Sequence, residues 1–300
     1  MSWRIIYITD AQKISLNINH VQVIHQEQKY HISLEEIGII VIEDMFCNIT
    51  CRLLSELAKS GICVIVMGDN HLPVGEMQPL QNNVRSSKRL LNQINWDDKI
   101  KEEVWTKIIS YKILNQINTL SKLKKINKLD IIINLFSTIT LGDKTNREGT
   151  IARIYFKEMF GESFVRFEED IINACLNFSY HLVRTLITKE IIGRGYNTQL
   201  GLNHKSEYNY FNLSDDLIEI YRPIVDYFVY NILLTKKDRK NYRIDKELKK
   251  ELIDILNNKI SICGKQFSIL NSVAVYVNDV LSCIESGKLR NFYYPVLEKY

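Results

Sequence analysis

Residues 68–80 read GDNHLPVGEMQPL, and the character of the sequence changes across this stretch. It contains two of the four prolines and two of the twelve glycines of the 300-residue chain, which is the composition of a turn or linker. Short segments of strand type precede it, and longer segments of helical periodicity follow it. The sequence therefore predicts an α+β protein with a β-rich domain at residues 1–76, a linker at 77–84 and a larger all-α domain at 85–300.

Strands are predicted for six short segments of the N-terminal domain: Trp3–Ile8, Ile14–Ile18, Val21–His25, Lys29–Ile32, Ile37–Ile42 and Ile62–Met67. Their close spacing favours a mostly antiparallel arrangement. One helix is predicted at about 48–60, and Gly61 is a plausible stop for it. The strand that follows, ICVIVM, is apolar on both faces and is therefore predicted to be central in its sheet.

Beyond the linker, apolar residues recur at spacings of three and four, which is the period of helices. This pattern predicts helices at 82–94, 100–120, 130–141, 146–160, 164–192, 214–235, 245–257 and 266–285.

The composition narrows the class of protein. A net charge of +4 and a pI near 8.6 suit a nucleic-acid partner but are equally compatible with ordinary surface charge. Six cysteines without a C-x-x-C pair argue against a zinc site. The runs IGIIVI and ICVIVM are far shorter than the roughly 20 residues of a membrane-spanning helix. We therefore expect a soluble cytoplasmic protein without a membrane partner.

Residues 201–226, GLNHKSEYNYFNLSDDLIEIYRPIVD, gather the groups most suited to chemistry: His204, Asp215, Asp216, Glu219 and Arg222. Ser214 is a plausible helix N-cap, which would put the two aspartates in the first turn and Glu219 on a neighbouring face. Pro223 cannot donate a hydrogen bond to the carbonyl of Glu219, so the helix should kink at that acidic position unless a new helix begins there.

Two further segments carry candidate functional residues. Glu148 opens an apolar-faced helix, and the neighbouring Gly149 would allow a backbone or ligand to approach closely. A basic stretch after residue 235 contains candidate phosphate contacts: Lys236, Lys237, Arg239, Lys240 and Arg243. Each feature also has an ordinary interpretation, namely a surface ion pair at Glu148 and a solvated loop and helix face for the basic stretch.

Three motifs, taken in order, resemble one family. They are Arg147-Glu148-Gly149 with Ala152 and Tyr155-Phe156, then Gly201-x-x-His204, then Asp216-Leu217-x-Glu219-x-x-Arg222-Pro223. Together they are similar to the CRISPR-associated integrase that acquires new spacers, the first of the numbered Cas proteins, and most similar to its type II versions. The resemblance spans essentially the whole chain and implies the same two-domain architecture.

The resemblance implies that Glu148, His204 and Glu219 are both catalytic and metal ligands. Asp215 and Asp216 match an acidic pair near that site, and Arg222 would orient Glu219 or contact phosphate. Two carboxylates and an imidazole suit Mg²⁺ or Mn²⁺.

The implied reaction is attack of the 3′-hydroxyl of a prespacer duplex on a phosphodiester at the border of a CRISPR repeat. The implied partners are DNA, a second copy of the chain joined through the β domain, and the small companion adaptation protein, the second numbered Cas protein. The RNA-guided effector nuclease and other acquisition proteins are further candidate partners.

Two alternatives stay open from the sequence. A non-catalytic DNA-binding scaffold would keep the basic surface, with the acidic residues acting only as helix caps. A helical metal enzyme that acts on a small phosphoester would instead bind DNA weakly and without salt dependence.

Overall fold

A computed structural model describes residues 4–69, 73–78, 84–234 and 244–297. The chain forms two compact units, the first from residues 1–89 and 188–196 and the second from residues 90–187 and 197–300. No helix among the described residues combines the length and apolar character needed to cross a membrane.

The first unit contains eight strands and one complete α-helix within its described residues: β1 (Arg4–Thr9), β2 (Lys13–Asn17), β3 (His20–His25), β4 (Gln28–Ser33), β5 (Ile37–Glu43), β6 (Asn48–Ile49), α1 (Cys51–Lys59), β7 (Cys63–Met67) and β8 (Pro73–Met77). The strands form two sheets, in the orders β1-β5-β7-β8 and β4-β3-β2-β6. Strand β7 is internal to its sheet, as predicted. Strand β8 lies within residues 68–80, the stretch from which the linker was predicted, and residues 79–83 of the predicted linker at 77–84 lie outside the described residues.

The prediction of a mostly antiparallel arrangement is wrong for the first sheet. Strand β5 pairs in parallel with both β1 and β7, and only β8 runs antiparallel there. Helix α1 lies in the crossover between β5 and β7, and such a crossover is what parallel neighbours require. In the second sheet, β3 pairs antiparallel with β2 and with β4, as predicted, while β2 pairs in parallel with β6.

Local sequence explains the bounds of α1. The Thr50 side chain accepts a hydrogen bond from the Leu53 N–H at 3.3 Å and caps the first turn. Gly61 has φ +67°, and the following Ile62 N–H bonds back to the Leu57 carbonyl at 2.9 Å, so the glycine ends the helix as predicted.

The second unit is mostly helical. After α2 (Ser86–Ile94), whose residues divide between the two units, it contains α3 (Asp98–Lys122), α4 (Leu129–Phe136), α5 (Arg147–Phe160), most of α6 (Ile171–Gly193), α7 (Asn212–Ile218), α8 (Arg222–Leu234), α9 (Lys246–Asp254), β9 (Lys259–Ile262), β10 (Lys265–Ser268) and α10 (Ile269–Glu285). Helix α3 contacts α4, α5, α7, α8 and α10 and is the central element.

Two details of the helical prediction need correction. The predicted all-α domain contains an antiparallel hairpin of β9 and β10, joined by Cys263 and Gly264 at φ +54° and +68°. A two-residue turn with both φ values positive is the usual hairpin connection, but it normally has Asn-Gly or Asp-Gly rather than Cys-Gly. In addition, the helix predicted at 214–235 is two helices, which separate at Glu219–Tyr221.

Candidate active site

Glu148 lies in the first turn of α5, and its backbone is fixed by the preceding loop. The carboxylate of Asp143 accepts hydrogen bonds from the N–H groups of Arg147 and Glu148 at 2.9 and 2.8 Å. The side chain of Asn146 accepts from the Gly149 N–H at 3.3 Å and caps the helix. A Cβ on Gly149 would lie 2.7 Å from Asn146 Oδ1, so the capping side chain approaches this glycine closely.

Glu219 lies at the break between α7 and α8, where Pro223 is the second residue of the new helix. Proline suits the first turn of a helix because its missing N–H would have no partner there. The Tyr221 carbonyl instead accepts from the N–H groups of Ile224 and Val225, both at 3.0 Å. The sequence left two possibilities open, a kink at Glu219 or a new helix, and the structure has the new helix. Ser214 is not an N-cap, because α7 begins at Asn212 and Ser214 is buried within it.

Lys112, from α3, connects the two glutamates. Its ammonium group pairs with Glu148 Oε1 and with Glu219 Oε2, and its side chain is only 9% exposed. On its other oxygen, Glu219 pairs with Arg222, whose Nε lies 3.0 Å from Oε1. The centre of the site is therefore a cluster of two carboxylates and two cations, in which Lys112 and Glu219 are buried and Glu148 and Arg222 are partly exposed.

His204 belongs to a loop that folds around one buried carboxylate. Asp216 accepts from the backbone N–H groups of Leu202, Asn203 and His204 at 2.6 to 3.1 Å, and its Oδ1 lies 2.7 Å from His204 Nδ1. Gly201 is required here, since an added Cβ would lie 2.4 Å from the His204 carbonyl oxygen and 2.7 Å from Asp216 Oδ2.

The electrostatics of the cluster favour its charged forms. Burial alone would lower the pKa of Lys112, but the carboxylates of Glu219 and Glu148 outweigh it and raise that pKa. Burial likewise acts to raise the pKa of Glu219, and the cations Arg222 and Lys112 bring it below its usual value. The hydrogen bond to Asp216 raises the pKa of His204 against the opposing effect of burial.

These residues open into one cavity of about 680 Å³, whose walls combine charged and aromatic groups. Its lining includes Glu148, His204 and Glu219, with Lys112 and Arg222 beside them. The cavity therefore brings the three sequence-predicted metal ligands to one surface.

A buried carboxyl group forms another part of the cavity wall. Asp226 accepts hydrogen bonds from Tyr155, at 3.0 Å, and from Tyr180. Burial raises the pKa of Asp226 to about 6, although both tyrosine hydrogen bonds act to lower it. The Tyr180 ring in turn packs against the guanidinium groups of Arg222 and Arg166, at 5.0 and 5.5 Å.

Glu148, Glu219 and His204 suit a hard divalent cation, provided that the Lys112 ammonium moves away from the two carboxylates. Two carboxylates and an imidazole are suitable ligands, and the Lys112 ammonium shows that the carboxylates already attract a cation. Since His204 Nδ1 faces an acceptor, the neutral ring carries its lone pair on Nε2, as a metal-ligating histidine does. With the ammonium paired to both glutamates, the described residues include no group of three His, Cys, Asp or Glu side chains that could hold a metal ion.

The other predicted site residues have different positions. Asp215 contacts Arg184, with Nη1 to Oδ1 at 3.8 Å, and accepts from Asn209 at 2.8 Å. It therefore belongs to the support of α7 rather than to the cavity lining. The five predicted DNA contacts, from Lys236 to Arg243, lie outside the described residues.

Sequence reasoning missed Lys112 and Asp226. The signal for Lys112 was available, because it interrupts the apolar face of α3 three residues after Ile109 and four after Ile108. A charged residue at a core position requires a buried partner. Asp226 gave a similar signal four residues after Arg222, on the apolar face of α8.

Comparison with known proteins places this arrangement in a family. The profile described as CRISPR associated protein Cas1 matches residues 6–258. A CRISPR-associated endonuclease Cas1 from Neisseria meningitidis is 33% identical over 273 residues, which cover 91% of this chain and 89% of the relative.

Two solved structures share the fold across nearly the whole chain. A casposase bound to integration product has a TM-score of 0.75 at 20% identity and covers 97% of this chain and 92% of its own. A chain of a Cas6-RT-Cas1–Cas2 complex has a TM-score of 0.74 at 16% identity and covers 96% of this chain and 35% of its own. With a profile match over most of its length and a full-length relative, this chain belongs to the Cas1 family of CRISPR-associated proteins.

Proposed function

We propose that this Cas1-family chain is a metal-dependent DNA integrase and endonuclease that inserts prespacer DNA into a CRISPR array. The observation that carries the proposal is the shared cavity of Glu148, His204 and Glu219. These residues come from α5, the loop before α7 and the helix break, and the fold brings them together around the buried Lys112 and the adjoining Arg222.

In this proposal Glu148, His204 and Glu219 hold Mg²⁺ or Mn²⁺. When bound, such an ion supplies Lewis-acid stabilisation of the charge that develops on the phosphate and on the leaving oxygen. Asp216 fixes the imidazole through Nδ1 and leaves Nε2 as the ligating atom, while Arg222 holds the Glu219 carboxylate from its other side.

The cavity also offers groups that would position DNA. Arg153, Lys157 and Arg166 line it and can neutralise phosphates, while aromatic rings provide surfaces on which bases could pack. Catalysis would then depend mainly on positioning and electrostatics, as in other phosphoryl transfers.

The reaction we propose is a transesterification. The 3′-oxygen of the prespacer forms a bond to phosphorus and loses its proton, and the bond from phosphorus to the target strand's 3′-oxygen breaks. The released 3′-oxygen takes up a proton. One phosphodiester replaces another, so no nucleotide cofactor is consumed, and water as nucleophile would give cleavage instead.

The assembly we propose uses both parts of the chain. Residues 1–76 would mediate a homodimer and residues 85–300 would carry catalysis, in the prokaryotic cytoplasm. The partners would be prespacer and repeat DNA and a Cas2-type companion, the kind of subunit named in the Cas1–Cas2 neighbour. The effector nuclease and other acquisition proteins would join in vivo.

A strand-transfer assay tests the proposal. A labelled duplex with free 3′-hydroxyls is incubated with a supercoiled plasmid that carries a repeat array, with the companion protein and with or without Mn²⁺. We expect joining only with metal, and none for Glu148→Ala. The matched control is Glu158→Ala on the same helix, since Glu158 lies outside the cavity and only accepts from the Asn127 N–H.

The possible results separate the two leading functions. Metal-dependent joining by wild type and by Glu158→Ala, but not by Glu148→Ala, supports the integrase. Tight DNA binding without joining under any condition would instead favour the non-catalytic scaffold.

The basic segment can be tested separately. Alanine at Lys236, Lys237, Arg239, Lys240 or Arg243 should weaken DNA binding and reduce its salt slope by about one for each lost phosphate contact. An unchanged slope would remove that segment from the proposed DNA surface.

A further inference from the structure

The position of Lys112 has a consequence for metal binding. Its single ammonium group contacts Glu148 and Glu219, which come from separate helical regions far apart in sequence. Both are among the three residues assigned to the divalent ion above. The lysine therefore occupies the place where these two carboxylates present their negative charge.

Physical chemistry explains why such a lysine would be needed. Glu219 has 6% of its surface exposed, and since it shares one ammonium with Glu148, the two carboxylates would repel each other without that cation. Arg222 neutralises only one of them, because it pairs with Glu219 and no ion pair among the described residues joins it to Glu148. The ammonium therefore keeps the two carboxylates close together without any metal.

The same contact would obstruct a metal. A divalent ion bound by Glu148 and Glu219 would lie close to the ammonium, and both would compete for the same oxygen atoms. A lysine side chain has four flexible methylene groups, so its charged end can move into the adjoining cavity while its stem stays packed.

We propose that Lys112 is a built-in competitor of the divalent ion. In metal-free protein its ammonium holds Glu148 and Glu219 in position, and on metal binding it leaves at least one carboxylate and moves into the cavity. Lys112 is thus a positioning residue that preorganises the ligands and lowers metal affinity. The inference rests on the metal-dependent function proposed above.

The test compares metal binding by three full-length proteins: wild type, Lys112→Met and Lys107→Met. Lys107 is the matched control, because it lies on the same helix and contacts the Tyr111 ring at 5.9 Å, outside the cavity lining. Binding of Mn²⁺ alone, without DNA, is followed by the loss of the free-ion signal in electron paramagnetic resonance. We expect Lys112→Met to bind Mn²⁺ at least about tenfold more tightly than the other two.

Thermal unfolding gives the complementary readout. In EDTA, Lys112→Met should melt about 5 °C or more below wild type, since Glu148 loses this cation and the buried Glu219 keeps only its pairing with Arg222. Added Mn²⁺ should raise its Tm more than that of wild type. Equal Mn²⁺ affinity and equal Tm for Lys112→Met and Lys107→Met would overturn the proposal.

A measurement on wild type covers the case in which Lys112→Met does not fold. Brief reductive methylation followed by mass spectrometry reports the exposure of each lysine amine. We expect the reactivity of Lys112 relative to Lys107 to rise at least threefold when Mn²⁺ is added. An unchanged Lys112-to-Lys107 reactivity ratio at saturating Mn²⁺, or no Mn²⁺ binding at all, would overturn the proposal that the metal displaces the Lys112 ammonium.

These measurements need no DNA and so separate the inference from the proposed function. If Mn²⁺ binding and lysine reactivity change as expected but no strand transfer occurs, displacement of Lys112 by the metal is supported and the proposed DNA reaction is rejected.

Discussion

The cores of the two units differ in the kind of residue that they bury. In the first unit, both sheets and α1 enclose aliphatic side chains such as Ile14, Val21, Ile40 and Leu53. In the second, the buried charged side chains of the described residues are found among the helices: Lys112, Asp216, Glu219, Asp226 and Lys249.

The difference indicates which region carries chemistry. Burial of aliphatic groups stabilises a fold without further conditions. Burial of a charge costs free energy unless a partner is supplied, so a charged core is retained at the expense of stability or for a function. Substitutions in the first core should therefore change stability alone, whereas those in the second should also change the response to metal or pH.

The largest effect should come from Glu219→Ala, which leaves Lys112 and Arg222 without the carboxylate between them. We expect a loss of about 4 kcal/mol in the free energy of unfolding, together with loss of strand transfer. Glu148 is more exposed, at 25% of its side chain, so Glu148→Ala should abolish transfer but lower stability by only about 1 kcal/mol. Urea denaturation in EDTA measures the loss of stability in both variants. Equal losses would contradict the larger contribution that we expect from the buried Glu219.

Leu53→Ala should have the next largest effect on stability, and this effect should not depend on pH or on metal. Leu53 is 1% exposed in α1, and truncation of a buried leucine costs about 3 kcal/mol. The loss should be the same at pH 5 and pH 7 and with or without Mn²⁺, as measured by urea denaturation under the four conditions. A loss that depends on metal would contradict the separation of the two cores.

Asp226→Asn should show the pH dependence that the first core lacks. The folded-state pKa of Asp226 is about 6 against an ordinary value of 3.8, so between these pH values the folded protein binds a proton that the unfolded chain releases. Ionisation of the Asp226 carboxyl group therefore does not lower the free energy of unfolding below pH 3.8. The loss grows as pH rises to 6 and then stays constant.

Asparagine cannot ionise, so the stability of Asp226→Asn relative to wild type should improve as pH rises from 4 to 7. The change should be about 3 kcal/mol, which follows from a pKa difference of about two units. The control is Asp143→Asn, whose carboxylate only caps α5. The same dependence in both variants would exclude Asp226 as the cause.

The comparison also explains how much of the fold and of the candidate site could be predicted from the sequence. Most helices and strands were predictable because period-two and period-3.6 patterns are local, whereas Glu148, His204 and Glu219 were chosen through the resemblance of three motifs to a known family. Strand partners depend on contacts far apart in sequence, so the parallel pairing of β5 with β1 and β7 was not predicted. The ion cluster was missed for the same reason, because Lys112 precedes Glu219 by 107 residues.

Two glycines near the site provide the smallest and most selective comparison. Gly201→Ala places a methyl group against the His204 carbonyl and Asp216 Oδ2, at 2.4 and 2.7 Å, so the loop that presents the imidazole must move. We expect a loss of about 2 kcal/mol, typical of an overpacked site. Gly149→Ala displaces only the flexible capping side chain of Asn146, and the gain of about 1 kcal/mol in helix propensity offsets a capping loss of similar size.

Urea denaturation should therefore find Gly149→Ala near wild type and Gly201→Ala clearly destabilised. Mn²⁺ binding should weaken in Gly201→Ala alone, because the altered loop carries His204 whereas the glutamates keep their places. If both variants bind Mn²⁺ as wild type does, the loop is not part of the metal site and the imidazole must be removed from the ligand set. If Gly149→Ala is the one that weakens, the helix cap rather than the loop governs the geometry of the ligands, and Glu148 becomes the residue whose position limits metal binding.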